Sequence, residues 1–138
     1  MKRIKFIVIV SAFLFIAFAP VNTNAAFQKY TNFILYPNCH NNYTRVHTKA
    51  TGEQNIVNHV TKYTNGITEA QFWACNPNPV GNYGERKVVS RIENCKKGEK
   101  KVIKFIAHKK KGSKIRMAME KSQKPRESAN VSGEVDFR

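Results

Sequence analysis

Four histidines (His40, His47, His59, His108), three cysteines (Cys39, Cys75, Cys95) and a lysine-rich stretch are the residues of this 138-residue chain that could do chemistry. Between Lys96 and Arg126 stand thirteen Lys or Arg against two acids, Glu99 and Glu120. Cations at that density attract phosphates and carboxylates, with an affinity that salt weakens. The histidines admit a second chemistry. Metal-independent RNA cleavage needs a base at the 2′-hydroxyl, an acid at the leaving oxygen and a cation for the phosphate. His59 and His108 with a lysine supply those parts only if the fold brings them together, and their spacing does not show that it does. His47 with His59 is no better supported. Cys39-His40 lacks any C-x-x-C or H-x-x-x-H companion, so neither a metal nor a cofactor is expected.

The elements that must position these groups read as short strands. Phe33 to Tyr36 is a compact apolar run, and Tyr43 to Ala50 is rich in Thr, Val and Tyr. Asn55 to Tyr63 follows, then Asn65-Gly66, a dipeptide suited to a tight hairpin turn. Ile67 to Cys75 returns with Ala70, Phe72 and Ala74 on one face and Gln71 and Trp73 on the other. Two prolines and two glycines make residues 76–84 a loop, before a further strand from Arg86 to Cys95. Val102 to His108 and Ser113 to Met119 flank Lys109-Lys110-Lys111-Gly112, which reads as a hairpin with a basic tip. Alternation there sends Ile103, Phe105, Ala107, Ile115, Met117 and Met119 inward, and Lys104, His108, Lys114 and Arg116 outward. Residues 121–130 are polar, and Val131 to Phe137 closes the chain. About eight strands in sequence-adjacent hairpins predict an all-β fold, a small antiparallel sandwich or barrel.

The N-terminus carries a different message. Lys2, Arg3 and Lys5 precede a 14-residue apolar run, Phe6 to Ala19, which Pro20 ends ahead of Ala25-Ala26. These are the parts of a cleavable secretory signal, and the run is shorter than the ~20 residues that span a bilayer. Residues 1–25 are thus expected to be removed, leaving 26–138 as one exported domain, periplasmic or secreted, with no membrane span. Its 21 Lys and Arg face nine acids, a net charge near +12. In an oxidising compartment a disulfide is expected, and Cys75 with Cys95 is the preferred pair because both end predicted strands beside one loop.

Together these features predict a small basic binding protein, in a bacterium an envelope component or effector. It would engage an acidic macromolecule (protein, nucleic acid, anionic glycan or lipid surface) through Lys104, Lys109, Lys110, Lys111, Lys114 and Arg116. The alternative is a small secreted nuclease working by histidine acid–base catalysis.

Overall fold

The computed structural model describes residues 27–37, 40–80, 86–122 and 128–138. The expected signal segment and Cys39 lie outside them. The described chain is nearly all β, in antiparallel sheets. Its strands are β1 (Gln28–Leu35), β2 (Asn42–Tyr43), β3 (His47–Thr48), β4 (Asn55–Tyr63), β5 (Glu69–Pro79), β6 (Arg86–Val88), β7 (Glu93–Lys96), β8 (Lys100–Lys104), β9 (Lys114–Lys121) and β10 (Ala129–Asp136). A four-stranded sheet runs β1-β10-β4-β8. A six-stranded sheet runs β2-β9-β5-β6, with β3 also on β9 and β7 also on β5.

The pairing is not one of successive hairpins. Among the described residues, only β5 and β6 are both consecutive and paired. Asn65 and Gly66 do form the tight turn, with φ of 55° and 70°. That turn carries the chain from β4 in one sheet to β5 in the other, so no ladder joins the two strands. The reason lies in β5, whose near-continuous apolar run buries side chains on both faces, which suits an interior strand with partners on both edges. It takes β9 from Ala70↔Lys121 to Cys75↔Arg116 on one edge, and β7 and β6 on the other. The strand continues through Pro77 and Pro79, where the sequence reads as loop. Those prolines lie beyond the β9 ladder, so their missing N–H groups break no bond to it.

One face of β5 puts Ala70, Phe72 and Ala74 into a cluster shared by both sheets, with Ile56 and Val60 from β4, Ile103 from β8, Ile115, Met117 and Met119 from β9 and Val131 and Val135 from β10. The other face buries Trp73 and Cys75 with Ala118, packed against Tyr43 and Val88. The Arg86 guanidinium lies over the Tyr43 ring, 4.2 Å from its centroid.

Two register breaks shape the four-stranded sheet: in β1–β10 between Tyr30 and Phe33, and in β10–β4 between Ser132 and Gly133. Asn32, at φ 53°, absorbs the first, and its N–H donates to Ser132 Oγ at 3.0 Å. Between the breaks, the buried Tyr30 hydroxyl donates to Asn58 Oδ1 at 2.9 Å. Its ring is seated against Gly133, where a Cβ would collide with the Tyr30 ring and hydroxyl and with the His59 carbonyl oxygen. Gly133→Ala is therefore expected to cost about 1–3 kcal/mol of stability, the usual price of overpacking. Urea unfolding checks this, and an unchanged midpoint would show that the seat is loose.

Candidate functional site

The lysine stretch is where the structure departs furthest from the sequence reading. β8 pairs with β4 and β9 pairs with β5, so 102–108 and 113–119 are not partners. Residues 105–113 instead cross from one sheet to the other. Lys104 and Arg116 therefore lie on different sheets and do not share one outer face. Lys109, Lys110 and Lys111 lie on this crossover, with Lys104 ending β8 before it and Lys114 opening β9 after it.

The crossover is well anchored. Phe105 N–H donates to the Gln54 carbonyl at 2.9 Å, and Lys109 exchanges hydrogen bonds with the Gln54 side-chain amide. Gly112, at φ 84°, donates its N–H to the Lys49 carbonyl at 3.0 Å, and Ser113 N–H closes the turn on the Lys110 carbonyl. Lys109 Nζ donates to Asn76 Oδ1 at 2.8 Å and Lys114 Nζ to Thr48 Oγ1 at 2.6 Å. Both acceptors are neutral, so they orient the ammonium groups without cancelling their charge. Lys104, Lys110 and Lys111 are exposed and form no ion pair among the described residues. Arg116 is half-buried opposite Cys75, and its Nε has no hydrogen-bond partner among those residues.

Lys49 holds this end together, and the sequence reading did not single it out. It is 1% exposed. Its ammonium donates to the main-chain oxygens of Glu53 and Arg138 and lies 5.1 Å from the Phe105 ring centroid. Burial lowers its pKa, while Glu53 and Asp136 oppose that shift. The signal was its parity: in H-T-K, Lys49 shares the face of the half-buried His47, opposite to the exposed Thr48. The acids nearby are already engaged, since Arg138 holds Asp136 Oδ2 at 2.7 Å and Glu53 at 3.6 Å.

The structure does not join the histidines. His59 lies opposite Lys100, whereas Asn55, four residues (about 13 Å) away, lies opposite Lys104. His108 is on the crossover beyond that end, so it cannot share a phosphate with His59. His59 instead pairs its Nδ1 with Glu134 Oε1 at 3.3 Å. His47 stacks on Phe137 with centroids 4.3 Å apart, and its pKa is lowered by burial and then by Arg116 and Arg45. Tyr63, Trp73 and Tyr83 are of a type that could stack on a nucleic-acid base. Trp73 is buried, Tyr63 donates its hydroxyl to the Cys95 carbonyl at 2.6 Å, and Tyr83 lies outside the described residues.

The expected Cys75–Cys95 disulfide is not formed; both thiols are free and buried. Strand parity separates them. Cys95 is opposite Ala70 and shares its face in the main core, whereas Cys75 shares the opposite face of β5 with Trp73. Burial pushes the thiols up to about 11 at Cys75 and about 12 at Cys95.

Among the described residues no group of three His, Cys, Asp or Glu could hold a metal ion, and no helix is long and apolar enough to cross a membrane. Comparison with protein-family models, with curated proteins and with solved structures finds no match.

Both thiols favour the protonated form in the folded state. Their contribution is therefore complete below the ordinary thiol value of 9.0 and is lost as pH rises towards about 11 to 12. Near neutral pH, iodoacetamide should leave Cys75 and Cys95 untouched in the native protein and modify both in urea. Peptide mapping that linked the two would contradict the parity argument.

Proposed function

We propose that the protein is an exported, non-enzymatic binding module, its two sheets packed as a sandwich, that engages an acidic macromolecule through the crossover between β8 and β9. The observation that carries this reading is the state of the lysines there. Lys109 and Lys114 are held by neutral oxygens, and Lys104, Lys110 and Lys111 are exposed without an acid partner among the described residues. An anchored main chain bearing unneutralised charge loses little entropy on docking, and each cation that meets a phosphate releases a counterion. The bland alternative is that these lysines only keep the protein soluble. The N-terminal pattern of charge, apolar run and small residues supports export with cleavage after Ala25.

One experiment tests both parts. The exported product is collected, its N-terminus sequenced, and its binding to labelled single-stranded RNA followed by fluorescence anisotropy over a range of salt. The expected product starts at Ala26 and binds in a salt-sensitive way. Replacing Lys109, Lys110, Lys111 and Lys114 with Gln should weaken binding at low salt at least tenfold and flatten the log–log salt slope by roughly 3 units. Unchanged binding by that variant rejects the crossover as the binding surface. A decay of anisotropy below baseline would mean cleavage, and would replace the binding reading with the nuclease one.

A further inference from the structure

The outward face of the four-stranded sheet carries a polar row that the crossover does not account for. Register places Lys29 opposite Glu134, Glu134 opposite His59, and His59 opposite Lys100, one residue from each of the four strands. Directly opposed side chains in such a ladder have Cβ atoms about 4.5–5.5 Å apart, so neighbours in the row are within reach of one another. Next to Glu134 lies a hollow of about 300 Å³, lined by Lys29, Tyr30, Thr31, Thr61, Ser132, Gly133 and Glu134. Both register breaks open onto it. Bulged strands re-aim side chains and are common beside binding sites, and a non-glycine residue at positive φ such as Asn32 costs energy that function often explains.

The donors and acceptors around the hollow define what fits. Lys29 offers a cation to an acid group. The Glu134 carboxylate, steadied by His59, accepts hydrogen bonds and repels an anion that brings no donors of its own. Ser132 Oγ already accepts the Asn32 N–H, which leaves its proton free to donate. Thr61 spends its proton on the Ser132 carbonyl at 3.1 Å and keeps its lone pairs. Thr31 is exposed. A cation beside a carboxylate and three hydroxyls matches a ligand that is rich in hydroxyls and carries one acid group.

We propose that this hollow binds a single acidic saccharide unit, with Lys29 taking its carboxylate or phosphate and Glu134, Ser132, Thr31 and Thr61 taking its ring hydroxyls. The site is separate from the lysine crossover and does not depend on it. His59 is a positioning residue here, holding the carboxylate beside the hollow.

The test is a titration of the exported domain followed by amide chemical shifts, using glucuronate, glucose 6-phosphate, glucose, inorganic phosphate and alanine as separate probes. Saturable shifts at Thr31, Ser132 and Gly133 with glucuronate or glucose 6-phosphate are expected, and whichever binds tighter identifies the acid group. Lys29→Gln, at an exposed position, should weaken that binding at least tenfold, while a Lys110→Gln, Lys111→Gln double variant should leave it unchanged. Absence of saturable shifts with both acidic sugars overturns the proposal. So does equal binding of glucose, phosphate or alanine, or an indifferent Lys29→Gln variant. Loss of binding in the Lys110, Lys111 variant would assign the effect to the crossover and overturn it as well.

Discussion

Burial of both faces of β5 is the constraint from which the rest of the structure follows. A strand with Phe72 and Trp73 pointing in opposite directions, both withdrawn from water, cannot sit at an edge or on a half-exposed sheet. Burying each of those side chains contributes roughly 1.5–3 kcal/mol, more than a local hairpin turn can set against it. β5 therefore claims β9 as its long partner. Once β9 is taken, β8 is left to close the other sheet against β4, and residues 105–113 must bridge the gap. The lysines sit where they do because that bridge has to exist.

Polar groups fix the two ends of this arrangement in different ways. At the crossover end, Lys49 ties together the segment after β3 and the residues after β10 through two main-chain oxygens, and the start of the bridge through the Phe105 ring. Within the four-stranded sheet, Tyr30, Asn58 and Gly133 interlock, and Asn58 Nδ2 also reaches Cys95 Sγ at 3.6 Å on the facing sheet. A hydroxyl and an amide buried in this way must find each other, so they specify register more sharply than apolar packing alone. Burial holds the Tyr30 phenol well above its usual range, which keeps it a hydrogen-bond donor. The same interlock sets the bulges that shape the outer polar row.

Alternation in the sequence, a local signal, put Ile103, Ile115, Met117 and Met119 on buried faces as the structure does, but it also sent Ala107 inward, and Ala107 is exposed on the crossover beyond the end of β8. It placed Ala70, Phe72 and Ala74 on one face of β5, while residue type bounded β4 at Asn55 and Tyr63 and the Asn65-Gly66 dipeptide located the turn. It carried no information about which strand lies next to which. Lys104, Lys114 and Arg116 were read as one outer face because 102–108 and 113–119 looked like a local pair, and the demand of β5 for a partner is not local. Cys75 and Cys95 failed as a pair for the same reason, since their parity across β5 and β7 appears only once the register is known. The His59–Glu134 contact spans 75 residues of sequence and could not be read from spacing.

The partnership of β9 is thus the claim on which the placement of the crossover lysines rests, and cross-strand nuclear Overhauser contacts between main-chain protons measure it directly. Contacts linking Phe72 with Met119 and Val57 with Val102 are the result this account predicts. Direct ladder contacts between residues 102–108 and 113–119 would restore the basic hairpin and contradict it.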